Sequence, residues 1–436
     1  MAYAGKSASR LRQSALHKGD AEGKARSGGT GLDAQAVLLL LVLSLFNTAN
    51  ALSGTFVPVY LWKASQSYAL IGWYSFSQFG ISGLTFWLAG KWVKQYNKMN
   101  TLRLGVALSG CFYLTVLLLG NASRHYYIPL GALNGIAGGF FWLAYNVVYF
   151  EITEPNNRDR YNGWAGLLGS CAGIVAPWLS GLIISRSAGT AGYRIIFSVS
   201  IVIFAVSVVL SFWLRKRPAE GQYGWFLGVR ELRERGNPWR KFVPAIMMQG
   251  VREGVFLFLV GLAVYIATRS EQKLGTFTLI TSLVALGSFW TVGRWLRPRW
   301  RRLSMLVGVI AVTAVILPLL LGGIQYGTLL MFGIGTSLFI PLYMIPMTSS
   351  VFDLIGRNEQ SARARVEYIV LREAALTAGR LIGLTAYLLV LPQHPTQRAI
   401  TWLMLGVGAA PIAGWWLIRH YVGERRYAAK RQAERP

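Results

Sequence analysis

Long apolar runs alternate along the chain with short polar segments. Twelve runs are long enough to cross a bilayer as helices, at about 35–61, 68–93, 101–120, 126–152, 162–184, 193–214, 242–268, 274–296, 303–323, 326–354, 364–391 and 397–419. A helix needs about 20 predominantly apolar residues to span the hydrocarbon core. Polar and small residues inside the runs are patterned. Asn47, Asn50 and Gly54 lie three and four apart, on one stripe of the first helix, while Ser75, Ser77, Gln78 and Ser82 stud the second. Gly131, Gly135, Gly138 and Gly139 fill the fourth run, and Gly169, Gly173, Pro177 and Gly181 recur every four residues in the fifth. Such stripes let helix backbones approach closely in lipid, and Pro177 predicts a kink. Pro341 and Pro346 predict a bent tenth helix near Thr348, Ser349 and Ser350. The third, sixth, ninth and twelfth runs read as peripheral, lipid-facing helices.

The pattern is written twice. Gly90-Lys91-Trp92-Val93-Lys94 returns 203 residues later as Gly293-Arg294-Trp295-Leu296-Arg297. The same offset matches Gly72 with Gly275, Phe86-Trp87 with Phe289-Trp290, Gly105-Val106 with Gly308-Val309, and Gly120 with Gly323. An offset of 202 matches Phe150-Glu151 with Phe352-Asp353, Pro177 with Gly379, and Gly181 with Gly383. A repeat near half the chain length means duplication of a whole half. The expected fold class is an all-α polytopic membrane protein with twelve transmembrane helices in two six-helix pseudo-symmetric bundles, residues 34–214 and 242–419. The linker, 215–241, is expected to carry a short amphipathic interfacial helix: Trp225, Val229 and Leu232 share a face, Arg230/Glu234 and Glu231/Arg235 have ion-pair spacing, and Gly236-Asn237-Pro238 stops the pattern. Residues 1–33 read as a disordered basic tail rather than a signal peptide, and 420–436 as a second basic tail.

Composition agrees with this class: 53% hydrophobic, 14% charged, mean hydropathy +0.41. A soluble domain carries about 25% charge. The net charge of +27 raises nucleic acid as a partner, but its distribution argues against that. Alternate inter-run segments, with both tails, hold 34 of the 44 Lys and Arg; the other set holds Lys63, Arg124, Arg186, Arg194, Arg269, Lys273 and Arg398. This is the positive-inside asymmetry. It places both termini in the cytoplasm and the protein in the cytoplasmic membrane, with anionic lipid rather than nucleic acid against its basic loops. Cys111 and Cys171 are expected to be buried packing residues without a disulfide.

Ionisable residues at mid-span are the main candidates for chemistry, since each costs about 2.5 to 3.5 kcal/mol to insert. Arg252-Glu253 and Arg372-Glu373 both lie roughly 12 to 16 Å from the basic end of their helices, and Arg380 lies two turns deeper than Glu373 on the same face. Arg252 is expected to face Glu373, and Glu253 to face Arg372. Three readings stay open: an ion-pair network fixing the seventh helix to the eleventh; a surplus positive charge receiving an anionic or zwitterionic solute; and Glu253 or Glu373 as a proton carrier. The first-half counterparts are about Asn47-Thr48, so Asn47 and Asn50 are candidate ligand contacts or interhelical glue. No Walker-type loop is present, and the four histidines have no metal-ligand spacing, so no cofactor or metal is expected and ATP is not the driving force.

These residues resemble the major facilitator superfamily of secondary transporters, in a bacterial form with degenerate signature loops. Gly90 and Gly293 match the leading glycine of its signature after the second and eighth helices, but Lys94 and Arg297 stand at the Asp position and Asn97 and Trp300 at the second Gly. The resemblance implies that Lys91, Lys94, Arg294 and Arg297 belong to gating loops, with Glu151, Glu154 and Asp353 supplying the missing acid. It also implies alternating access, with the first, fourth, seventh and tenth helices lining a cavity and the second, fifth, eighth and eleventh forming the moving seams. The fifth helix resembles a loosened form of the family's antiporter motif, without the arginine those antiporters carry in the fourth helix. The expected function is secondary transport of a small or amphiphilic solute, with proton coupling as one form of drive and the chain acting as a monomer. The alternative is a flippase for a lipid or lipid-linked substrate. A non-transporting membrane sensor or enzyme is a third, less favoured alternative, because the loops are too short to hold a soluble catalytic or receptor domain, and no enzymatic role is expected.

Overall fold

The computed structural model describes residues 32–152, 158–215, 221–356, 363–391 and 395–422. Among these residues twelve long helices follow one another, with no strand. The first half contains Ala34–Ser65 (crossed by a 3₁₀ turn at Gly54–Phe56), Tyr68–Gln95, Lys98–Leu119, Tyr127–Ile152, Arg158–Arg186 and Ala191–Ser211. The second contains Trp239–Thr268, Glu271–Trp295, Arg301–Gly322, Tyr326–Ile355, Arg365–Val390 and Gln397–Ile418. They are called the first to twelfth helices below. Eleven are apolar enough throughout to span a membrane; the other, the second, has the length at 28 residues but carries Ser75, Ser77, Gln78, Ser82 and Thr85. The expected tails, apart from Leu32, Asp33 and residues 420–422, and Glu154 lie outside the described residues.

The duplication is visible in the packing. In the first half the first helix packs on the fifth and sixth, the second on the fourth, and the third on the fourth and sixth. Advancing every number by six gives the pairings of the second half: seventh on eleventh and twelfth, eighth on tenth, ninth on tenth and twelfth. The halves meet at two seams related by the same operation, second on eleventh and fifth on eighth. Aromatic rings fill the first bundle where these helices converge. Phe46 stacks on Phe141 at 3.4 Å between centroids and meets Phe204 edge-on at 5.7 Å, tying the first, fourth and sixth helices together. The glycines of the fourth helix sit where the sequence requires close approach: a Cβ on Gly135 would lie 2.4 Å from the Gln78 carbonyl oxygen.

Two expectations fail. Cys111 and Cys171 are exposed rather than buried. Cys171 falls on the outward stripe Trp164, Leu167, Cys171, Val175 and Leu179, where an apolar thiol faces hydrocarbon. The linker helix, Leu227–Arg233, makes neither expected ion pair. Glu231 instead accepts a hydrogen bond from the Asn237 side chain at 2.6 Å, and Val229 is exposed, because the helix is only seven residues long and docks on the basic ends of the seventh and eleventh helices.

Candidate functional site

The site is built on the closest helix contact of the second half. A Cβ on Gly379 would lie 2.0 Å from the Met247 carbonyl oxygen, and one on Gly250 would lie 2.3 Å from that of Leu376. Only glycine permits this approach, so the backbones of the seventh and eleventh helices touch and their neighbouring side chains emerge together at mid-span. Arg380 is the centre. Its guanidinium meets Glu253 at 3.1 Å through NH2 and Glu373 at 2.6 Å through NH1. Gln249 donates to the other Glu253 oxygen at 2.7 Å. From the opposite half, the Phe79 ring of the second helix lies 5.1 Å from the Arg380 guanidinium carbon. The three charged side chains retain 13–21% exposure, so water reaches the trio.

The expected crosswise pairing is therefore not formed. Consecutive residues on a helix point about 100° apart, so Arg252 and Glu253 cannot both face the eleventh helix. Glu253 takes that face. Arg252 turns away and stacks over Phe256 at 4.6 Å; among the described residues neither it nor half-buried Arg372 has an acid within 4 Å. In the first half, Asn50 donates to the Phe46 carbonyl and accepts from the Tyr113 hydroxyl, which commits it to packing. Among the described residues the Asn47 side chain makes no hydrogen bond, and its amide nitrogen lies 3.7 Å from a Cβ placed on Gly169.

The doubled stretch differs between its copies. At the basic end of the second helix, buried Lys94 pairs with Glu367 of the eleventh, whose carboxylate also accepts the Gly224 N–H at 3.0 Å. Tyr223 donates to the Trp87 carbonyl at 3.3 Å, Trp225 meets Trp87 edge-on at 5.0 Å, and Lys91 lies over Trp225 at 6.0 Å. Burial, with the Glu367 carboxylate beside it, pushes the Tyr223 phenol above its ordinary range, so its hydroxyl stays a donor. A Cβ on Gly90 would strike the Tyr223 hydroxyl at 2.5 Å. Among the described residues the second copy is less engaged: nothing lies within 4 Å of a Cβ on Gly293, Arg294 stacks on its own Trp290, and exposed Arg297 has no ion-pair partner. Glu151 pairs with Lys98, and Asp353 with Arg301 at 3.0 Å, each joining a basic loop to the helix end beside it within one half.

The seams differ accordingly. The second and eleventh helices touch along their length, from Gly72 against Tyr387 to Gly83 against Thr377 and the Lys94–Glu367 pair. The fifth and eighth touch away from the basic end, where a Cβ on Gly181 would lie 2.5 Å from the Glu271 carbonyl oxygen, and at mid-span, where Ser282 donates to the Gly173 carbonyl at 3.3 Å. Toward the basic end nothing lies within 4 Å of a Cβ on Gly166 or Gly293. At the far end Glu271 joins the halves, accepting from Lys63 and from Tyr193, each at 3.0 Å. The sequence reading missed Glu367, Phe79, Tyr223 and Glu271. Only Glu271 carried a usable signal, as the sole acid in the poorly charged inter-run segments.

The Major Facilitator Superfamily model matches residues 38–365, three quarters of the chain. The chain belongs to the Major Facilitator Superfamily. It is an integral membrane protein and a membrane transporter rather than an enzyme. Uncharacterized protein YqgE of Bacillus subtilis (strain 168) is 36% identical over 405 residues, covering 92% of each chain. Among solved structures, a bacterial homologue of the iron transporter ferroportin in an inward-facing state superposes with a TM-score of 0.64 at 17% identity, over 90% of this chain and all of that one. The D-xylose–proton symporter gives 0.63 at 14% identity, over 89% of this chain and 98% of that one. At these identities the likeness is one of fold.

Proposed function

We propose that this superfamily member is a proton-coupled secondary transporter of a small solute, working by alternating access in the cytoplasmic membrane with its basic end in the cytoplasm. One observation carries the reading: Arg380 is gripped by two acids of its own half while it stacks on Phe79 of the other. Two carboxylates share one guanidinium, so the trio itself holds one negative charge beyond its cation. A proton on either acid releases one arm of Arg380 and changes its hold on the Phe79 ring, which links proton occupancy to the contact between halves. Because Arg252 turns away, the central space presents acids and one arginine, which favours a neutral or cationic solute over the anionic one suggested by the charge count alone. The acids are already held by Arg380, which favours a proton over a divalent metal as the coupling ion.

The open space beside Gly166 and Gly293, at the basic end of the fifth and eighth helices, supports a second reading, in which an amphiphile enters sideways from the lipid and the chain acts as a flippase. A ligand screen by thermal stabilisation followed by flux into proteoliposomes tests both. For the solute transporter, Glu253→Gln loses pH-gradient-driven flux and keeps solute exchange; undiminished gradient-driven flux removes Glu253 as the carrier. For the flippase, a disulfide between cysteines placed at Gly166 and Gly293 stops amphiphile movement.

A further inference from the structure

We propose that residues 223–228 of the linker form a removable strap, which holds the basic end of the second–eleventh seam shut while docked and must lift off the second helix before that end opens. The proposal rests on the alternating movement of the halves and on nothing about the Arg380 trio. Its seat is one face of the second helix, where Trp87, Gly90, Lys91 and Lys94 follow one another at helical spacing. Tyr223 lies on that face. It is buried, donates to the Trp87 carbonyl, and fills the space a side chain on Gly90 would need, its Cζ 2.6 Å from a Cβ placed there. Trp225 packs edge-on against Trp87 at 5.0 Å and Tyr223 at 5.1 Å, and its carbonyl accepts from the Trp87 indole at 3.4 Å.

The same stretch grips the other half. Between the two aromatic anchors, Gly224 gives its N–H to the Glu367 oxygen that also accepts from Lys94. Four residues on, Gly228 lies against Leu371 of the eleventh helix, where a Cβ would meet the Leu371 Cδ1 at 2.8 Å. Separating the second and eleventh helices at this end therefore pulls either Gly224 from Glu367 or both aromatic anchors from Trp87. The second outcome is the cheaper. On the eleventh-helix side the strap runs straight into the linker helix, Leu227–Arg233, which docks on the seventh and eleventh helices and leads into the seventh. On the second-helix side it is held by aromatic contacts and two hydrogen bonds. The strap thus travels with the second half, and Tyr223 and Trp225 are its releasable anchors. Among the described residues the second copy of the stretch has no such cover: Trp290 is 62% exposed, against 37% for Trp87. Control of the basic end therefore lies in the linker at one seam only.

The test perturbs the strap from both sides while leaving Lys94 and Glu367 intact. Tyr223→Ala removes an anchor from the linker, and Gly90→Ala puts a methyl group where the Tyr223 ring sits. In the full chain with Cys111 and Cys171 replaced by Ser, two spin-label pairs are read by double electron–electron resonance: Phe226 with Tyr96 for docking of the strap, and Tyr96 with Arg363 for the seam. All three positions are exposed. Each variant should raise the population of the longer distance in both pairs at least about fivefold, the worth of one hydrogen bond or one edge-on aromatic contact. Because both act through the same anchor, the Gly90→Ala/Tyr223→Ala double variant should go no further than Tyr223→Ala alone. If Tyr223→Ala does not fold, Trp225→Ala takes its place. A strap that lifts while the Tyr96–Arg363 distance stays unchanged, a strap that does not lift in either variant, or additive effects in the double variant overturns the proposal. Glu367→Gln separates the two failures: if it opens the seam while the strap variants do not, the strap alone is wrong, and if no variant moves the seam, alternating movement at this seam fails with it.

Discussion

Replacing Glu367 by Gln should unlock the basic end of the second–eleventh seam. In the wild type the Lys94 and Glu367 side chains are 10% and 4% exposed, and the same carboxylate accepts the Gly224 N–H. Removing one partner of a buried pair typically costs about 3 to 5 kcal/mol, because the other charge is left uncompensated. Here the chain has an escape: parting the two helices lets Lys94 reach water. The lost energy then appears as a shift in conformational equilibrium, bounded at roughly 3 kcal/mol or about 100-fold toward the parted state. Spin labels at Tyr96 and Arg363, both exposed, report the opening by double electron–electron resonance in a background with Cys111 and Cys171 replaced by Ser. Glu367→Gln should populate a longer distance, and adding Lys94→Gln should restore much of the original distribution, since neither buried charge remains. A folded Glu367→Gln protein with the wild-type distribution would refute the reasoning.

Three further outcomes follow from packing. Gly379→Leu should lower Tm strongly, by more than the roughly 1 to 3 kcal/mol of ordinary overpacking, because the added atoms meet backbone at 2.0 Å. Gly293→Leu, with nothing within 4 Å of its Cβ, should stay within about 0.5 kcal/mol of wild type in the same thermal assay. Lys63→Gln should cost no more than about 1 kcal/mol, as its side chain is 37% exposed, yet broaden the distance across the far end of the halves measured by spin labels.

The fold was legible because a bilayer leaves few choices: run length, basic loop asymmetry and the repeated Gly-basic-Trp stretch each constrain topology on their own. The helix bounds differ from those expected by at most about four residues, within the usual fraying of helix ends. At mid-span the sequence pointed to Glu253, Glu373 and Arg380, which the structure brings together, and to Arg252 and Arg372, which it leaves outside the trio. Arg252-Glu253 announced a mid-span charge pair, but the rotation of the seventh helix, set by Gly250 and Gly254 against the eleventh, decides which of the two faces Arg380. Phe79 gave no signal, since a phenylalanine in an apolar run is unremarkable until a guanidinium lies over it. Likewise, nothing in the repeat announces that Glu367 will hold Lys94. The position matching Glu367 in the first half is Ala165, so the mirrored seam has no acid to hold Arg297.

The most direct test of the central claim, that protonation within the Glu253–Arg380–Glu373 trio sets the arrangement of the halves, needs no knowledge of the solute. Spin labels at Gly166 and Gly293 read the basic end of the fifth–eighth seam as pH is lowered. The wild type should redistribute between a longer distance and a shorter one as pH falls, and the Glu253→Gln/Glu373→Gln double variant should hold one distribution throughout. A pH response that persists in the double variant, or none in the wild type, would contradict the account.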